Sequence, residues 1–105
     1  MTKKRLLQIE KRIESIKVKL ATIDEMRPGS LTRQYKDPEN KKGAYYQLSY
    51  TRQMRSRTEY VPRDCLPELR REIRTYKRFK ALTEQWITLS IEQSRLTMKR
   101  ASRQQ

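Results

Sequence analysis

The side chains of this sequence that can do chemistry are mainly cations. There are 26 Lys and Arg against 12 Asp and Glu, which gives a formal net charge of +14 in 105 residues. Residues 26–63 carry nine basic and three acidic side chains, so little in this segment neutralises its cations. Such a surface attracts a polyanion. The alternative is a solvated face that maintains solubility, although a net charge of about 2–8 suffices for a small domain.

Catalysis has few candidate residues. The sequence has no histidine, so neither a Ser-His-Asp nor a Cys-His nucleophile can be built. No Asp-x-Asp pair is present to hold magnesium, and two glycines, Gly29 and Gly43, are too few for a phosphate-cradling loop. Cys65 is the single cysteine, and we expect it to be structural. We therefore expect a protein that is not an enzyme and that uses no metal or cofactor.

The chain gives no signal for a membrane. No run approaches the ~18 uncharged apolar residues that a membrane-spanning helix needs. Gln8, Glu10 and Lys11 interrupt the apolar core that a signal peptide would require. Together with the single cysteine, these features predict a cytoplasmic protein without a membrane partner.

The first predicted element is a helix over residues 3–25. Its apolar residues follow one another at alternating steps of three and four, which is a heptad pattern. They are Leu6, Ile9, Ile13, Ile16, Leu20 and Ile23. Arg27-Pro28-Gly29 is expected to end the helix, since proline cannot continue it. A stripe this narrow needs a partner helix in water.

A long helix over residues 64–99 is predicted to supply that partner. Pro67 falls in its first turn, where a missing N–H does no harm. Its second half, about residues 79–96, matches the first helix in length, so we expect an antiparallel helical hairpin. The same seams can instead join two copies as a homodimer, and the sequence leaves both options open. Residues 100–105 are expected to form a disordered tail.

The segment over residues 30–62 is predicted to be a β-sheet. Residues 44–51 alternate in polarity, with Tyr46, Leu48 and Tyr50 on one face. Residues 30–36 and 57–61 are two further candidate strands, the first with Leu31 and Tyr35 facing in. A three-stranded sheet is stable only on a support, which Leu66, Leu69, Ile73 and Tyr76 are expected to provide. The predicted fold is α+β, a small antiparallel sheet inserted between two long paired helices in one domain over residues 1–105.

The outer face of this sheet is the first candidate nucleic-acid site. Its predicted residues are polar, and two further arginines lie at the turn after the second strand. The face comprises Thr32, Gln34, Lys36, Gln47, Ser49, Thr51, Arg57 and Glu59, with Arg52 and Arg55 at the turn. Arg33 on the first strand is also predicted to bind nucleic acid. A sheet of this size fits the ~12 Å major groove. The alternative is an ordinary solvated face. Tyr45 is expected to point outward, and Tyr46, Tyr50 and Tyr60 to lie in the core.

The long helix offers a second candidate surface. Its cations lie off the apolar stripe and are predicted to contact the phosphate backbone. They are Arg70, Arg71, Arg74, Lys77 and Arg78. The alternative is pairing within the helix, for example of Glu68 with Arg71, or of Glu72 with Arg74 or Lys77.

A resemblance covers about residues 26–82. It is carried by Gly29-Ser30-Leu31, Gly43-Ala44-Tyr45-Tyr46-Gln47-Leu48-Ser49-Tyr50, Tyr60-Val61-Pro62 and Tyr76-Lys77-Arg78-Phe79. These residues resemble a family of small, functionally unassigned bacterial and phage-associated proteins found near mobile elements. Many of its members carry a cysteine cluster between the first two strands, suggestive of zinc, whereas residues 35–43 of this chain have no cysteine. The architecture is also similar to the arm-binding domain of phage-type tyrosine integrases, which reads DNA with its sheet.

Two functional hypotheses follow. The first is a non-enzymatic protein that binds nucleic acid, with double-stranded DNA favoured, as an accessory or regulatory factor of a mobile element or phage. The second is a subunit that docks by its coiled coil into a larger nucleoprotein complex. RNA remains an alternative ligand, because an outward tyrosine suits a single strand as well.

Overall fold

A computed structural model describes residues 2–103 of the chain. The elements follow in the order α1 (Thr2–Leu20), β1 (Ser30–Asp37), β2 (Lys42–Arg52), β3 (Arg55–Val61) and α2 (Leu66–Arg103), with one 3₁₀ turn at Arg63–Cys65. The predicted α+β fold is confirmed. Within the described residues, neither helix is sufficiently long and apolar to span a membrane.

The chain forms two compact units. Described residues 2–23 and 78–103 form one, which we call the helical unit, and Asp24–Lys77 form the other, which we call the sheet unit. The helix α2 contributes its first part to the sheet unit and the remainder to the helical unit. The expectation of one domain over residues 1–105 stays a prediction.

The helical unit is an antiparallel hairpin of α1 and the second part of α2. Buried Ile9, Ile13 and Ile16 of α1 cluster with Leu82 and Leu89 of α2, so the heptad residues do form the seam. Side-chain contacts give the direction of the two helices. Arg5, near the start of α1, pairs with Glu92, whereas Lys17 near its end lies over Trp86, which comes earlier in α2. The predicted hairpin is therefore confirmed within one chain.

One ion pair reinforces this seam. The guanidinium of Arg5 donates to both carboxylate oxygens of Glu92, at 2.6 and 2.8 Å. These hydrogen bonds lower the pKa of Glu92 and raise the pKa of Arg5. Because the folded chain favours the ionised carboxylate, this contribution is present at neutral pH and is lost as the pH falls through the lowered pKa.

Two predicted helix ends differ from the structure. The predicted helix over residues 3–25 ends earlier, at Leu20. The amides of Thr22 and Ile23 bond to the carbonyls of Lys19 and Leu20, a tight turn that closes the helix before Pro28 is reached. At the other end, α2 continues through Arg103, so the predicted disordered tail is helical over residues 100–103. Residues 104–105 lie outside the described residues.

The sheet unit has the strand order β1-β2-β3 with antiparallel pairing. Leu48 of β2 is 1% exposed and forms a core with Val61, Leu66 and Ile73. Leu31, Leu69, Tyr46 and Tyr50 pack against this core, as expected. The first part of α2 therefore supports one face of the sheet, and we call the other the outer face.

Gly29 has a role that differs from the predicted one. It lies nine residues after the end of α1 and directly before β1, with φ at 140°. A Cβ at this position would lie 2.5 Å from Leu48 Cδ1 and 3.2 Å from the Ser49 carbonyl oxygen. The glycine therefore permits a close approach of the chain to the core of the sheet unit, rather than ending a helix.

The first prediction concerns the helical seam. Ile13 is 8% exposed, and Ile13→Asp would bury an unpaired carboxylate there. We expect a loss of about 3–5 kcal/mol in the free energy of unfolding, as for other unpaired buried charges, with reduced helicity. Circular dichroism and thermal melting measure both. The matched control is Ser15→Asp on the exposed side of α1, and equal melting of the two variants would contradict the seam.

The second prediction concerns Gly29. Gly29→Ala places a methyl group against buried Leu48 in a conformation that other residues rarely adopt, so we expect a loss of about 2–4 kcal/mol. Gly43→Ala is the comparison, because its Cβ would meet the side chain of exposed Lys36, and we expect about 1–2 kcal/mol. Chemical denaturation measures both losses. A Gly29→Ala variant as stable as the parent would disprove the close approach.

Candidate nucleic-acid interface

The outer face of the sheet is polar and has no carboxylate among its described strand residues. Alternation along the strands and the pairing of Leu31 with Leu48 and of Val61 with Tyr46 define it. The outer residues are Ser30, Thr32, Gln34 and Lys36 of β1, Tyr45, Gln47, Ser49 and Thr51 of β2, and Ser56, Thr58 and Tyr60 of β3. Lys36 is their single charge. Tyr45 lies outward opposite Gln34, as expected.

Three predicted positions on β3 were wrong. Arg57 pairs with Tyr50 and Glu59 with Leu48, so both lie on the face that α2 supports, and not on the outer face. Tyr60 was expected in the core but pairs with Gln47 on the outer face and is 67% exposed. Gln53 and Met54 alone connect β2 to β3, a shorter turn than the predicted one over residues 52–56. The shorter turn sets which β3 residues share a face with Leu48.

Hydroxyl groups are arranged in cross-strand pairs on this face. Ser49 and Thr58 lie 3.5 Å apart, and Thr51 and Ser56 lie 3.3 Å apart, between their side-chain oxygens. Thr32 Oγ1 donates to the carbonyl of Gln47 at 3.5 Å. All these groups are near the surface and can exchange their partners for an external donor or acceptor.

Arg27 is a residue whose role the sequence did not indicate. Its guanidinium pairs with Glu59 and lies 4.8 Å from the ring centroid of Tyr50. Its backbone N–H donates to the carbonyl of Glu72 in α2 at 3.0 Å. Arg27 thus connects β2, β3 and α2 and neutralises the carboxylate that had been expected on the outer face. Its position before Pro28 gave no signal for this, because all three partners are distant in sequence.

Some cations of α2 contact other side chains of the protein, and others form no ion pair within the described residues. Arg70 lies over the ring of Tyr46 at 5.6 Å, and Arg71 pairs with Glu68 at 3.1 Å, the second as the sequence suggested. Arg74 and Lys77 are exposed, and neither forms an ion pair within the part of the chain that the structure describes. The suggested pairing of Glu72 with Arg74 or Lys77 is therefore not formed. Arg78 is exposed and belongs to the helical unit.

The remaining predicted site residues fall on different faces. Lys36, Gln47, Ser49 and Thr51 lie on the outer face, as expected. Arg33 pairs with Tyr46 on the other face, where its guanidinium lies 5.4 Å from the ring of Tyr35. Arg52 and Arg55 face one another at the end of the β2–β3 hairpin. The structure thus brings the polar residues together on the outer face, and it places Arg33 and Arg57 on the opposite face and Arg52 and Arg55 at the end of the hairpin.

Charge is distributed over both units. The sheet unit carries 13 basic and 8 acidic residues, and the helical unit carries 13 basic and 4 acidic residues. No cluster of metal-ligating side chains occurs in residues 2–103. Cys65 is exposed. The expected absence of a metal or cofactor stays a prediction.

Comparison with known proteins gives a family but no activity. A family model described as a domain of unknown function, DUF6788, matches residues 2–71. No curated protein and no solved structure matches the chain. The matched segment contains α1, the whole sheet and the start of α2. Since it covers two thirds of the sequence, the chain belongs to the DUF6788 family of unknown function.

Proposed function

We propose that this chain is a non-enzymatic DNA-binding protein whose outer sheet face contacts base edges in the major groove. The observation that carries the proposal is the composition of that face. Its residues are hydroxyl, amide and tyrosine side chains with one lysine and no carboxylate. An anionic double helix can approach such a face without repulsion.

The dimensions and the chemistry support this ligand. Three strands at about 4.8 Å spacing give a sheet about 10 Å across between its outer strands, which suits a groove about 12 Å wide. Gln34 and Gln47 carry planar amides that can pair with two positions on an adenine. The hydroxyl groups on either side suit phosphate or base contacts.

The free cations supply the second part of the mechanism. Arg74 and Lys77 have no ion pair within residues 2–103 and are available to a phosphate backbone. The excess of cations on the helical unit adds long-range attraction that accelerates encounter. We assign the chain, on its resemblance to proteins near mobile elements, to an accessory or regulatory role on DNA in the cytoplasm.

A second candidate function is supported by α2. Ile87, Ile91 and Met98 are 53%, 47% and 61% exposed on one side of the helical unit. An exposed apolar stripe favours docking of another protein. In this alternative the chain is a subunit of a nucleoprotein complex, and its charge meets RNA or an acidic protein there. RNA binding by the purified chain in preference to duplex DNA would favour it.

The third prediction concerns salt. If phosphates dominate, the logarithm of the affinity for duplex DNA falls linearly with the logarithm of salt concentration, by about 0.9 per neutralised phosphate. We expect roughly 5–8 such contacts on that scale. Fluorescence anisotropy with a labelled duplex measures the slope. Affinity that does not change between low and high salt would contradict the proposal.

The fourth prediction separates base from backbone contacts. Gln34→Ala with Gln47→Ala should reduce discrimination between a selected and a scrambled duplex by roughly 1–3 kcal/mol for each lost contact. Arg74→Ala with Lys77→Ala should instead weaken binding to both duplexes equally and reduce the slope of the salt dependence by about 2. The measurement is anisotropy at equal ionic strength, with thermal melting to check the fold.

A control variant tests whether position matters beyond charge. Lys11→Ala with Lys19→Ala removes the same charge from exposed positions of α1. If it flattens the slope as much as the α2 pair, binding depends on net charge and not on the assigned surface. Unchanged discrimination in the glutamine variant would mean that the outer face is only solvated.

A further inference from the structure

The β2–β3 hairpin extends beyond the three-stranded sheet. The first residue of β1, Ser30, pairs with Ser49, so the following residues of β2 pair with β3 alone. The pairs in this extension are Tyr50 with Arg57, Thr51 with Ser56, and Arg52 with Arg55. At about 3.3 Å per residue, the three residues 50–52 carry the β2–β3 hairpin, a two-stranded ribbon here, roughly 10 Å beyond Ser30, where β1 begins. Every residue over 51–60 is exposed.

The turn at the tip has an unfavourable backbone for its residues. Gln53 and Met54 have φ values of 52° and 66°, the sign that a two-residue type I′ turn requires at both positions. Asn and Gly suit this conformation, whereas longer side chains are strained in it. Backbone strain of this kind clusters at active sites, ligand clamps and switch regions.

The charges at the tip are also unfavourable in the free protein. Arg52 and Arg55 are directly paired across the strands, and like charges in that position repel. Arg57 follows on the same face, and residues 50–58 contain no carboxylate to offset the three. No ion pair within the described chain involves any of them. An anion between the two arginines would remove the repulsion.

Met54 completes the arrangement. Its side chain is 99% exposed at the end of the ribbon. Methionine is unbranched, flexible and apolar, so it can enter a narrow gap between flat surfaces. Apolar side chains flanked by cations act as wedges that enter the minor groove and separate stacked base pairs.

We propose that Met54 inserts between base pairs of duplex DNA from the minor groove, with Arg52 and Arg55 on the adjacent phosphates. The insertion kinks the duplex, and the arginines gain the counter-charge that they lack in the free chain. This inference rests on the proposed DNA-binding function and adds a deformation of the ligand to it. Flexible pyrimidine–purine steps are the preferred sites, since they unstack most easily.

The test measures bending and affinity separately on the full chain. The probe is a duplex of about 30 base pairs with a central TA step and a fluorescent donor and acceptor at its two ends. We expect binding of the parent to increase energy transfer, as a kink of roughly 20–90° brings the ends together. Anisotropy on the same duplex gives the dissociation constant.

The decisive variant is Met54→Gly. Glycine suits the turn, so the melting temperature should stay equal to the parent's or rise, while the wedge is removed. We expect this variant to bind the duplex without the increase in energy transfer that the parent produces. The matched control is Met98→Ala, an exposed methionine of the helical unit, which should bend the duplex as the parent does.

The outcomes separate the two proposals. If the parent does not bind duplex DNA, the proposed function fails, and the wedge fails with it. If the parent binds without increased energy transfer, or if Met54→Gly bends the duplex equally, the wedge is wrong and the proposed function stands. Bending by the parent and Met98→Ala, but not by Met54→Gly, supports the wedge.

Discussion

Burial of Leu48 is the constraint on which the sheet unit depends. Its side chain is 1% exposed in a cluster with Val61, Leu66 and Ile73. Because side chains alternate along a strand, the burial of Leu48 determines on which face of the sheet each side chain of β2 lies. Strand pairing then determines the faces of the side chains in β1 and β3. The same burial requires glycine at position 29, where any Cβ would meet Leu48. The side chains that point away from this core form the outer face.

Apart from Lys36, the charged side chains of the strands lie off the polar outer face. Glu59 and Arg57 lie on the supported side, where Glu59 is neutralised by Arg27. Two further arginines, neither of which forms an ion pair within the described residues, lie over tyrosine rings, at 5.4 Å for Arg33 and 5.6 Å for Arg70. Such contacts stabilise a guanidinium without a carboxylate, so the positive potential is kept while the side chains are held in place. This arrangement suits a ligand that is attracted by charge and read by uncharged donors.

In the helical unit, the heptad pattern predicts the buried side of α1 but not the residue at which the helix ends. The heptad steps of α1 predicted the buried side of the helix, and Ile9, Ile13 and Ile16 are the residues that lie there. The end of α1 was predicted five residues late, because Ile23 continues the apolar pattern after the backbone has left the helix. An apolar side chain can pack into the seam between two helices from a turn as well as from a helix. The sequence pattern alone does not distinguish a turn from a helix at such a position.

The sequence by itself determined the elements and the buried face of β2, because periods of 3.6 and 2 follow from local backbone geometry. Tertiary structure alone decided the faces of β3 and the role of Gly29. No Asn-Gly or Asp-Gly marks the turn at Gln53 and Met54, so its length, and with it the placement of Arg57, Glu59 and Tyr60, had no local signal. Pairing between strands and the approach of residue 29 to Leu48 are set by contacts between residues far apart in the chain.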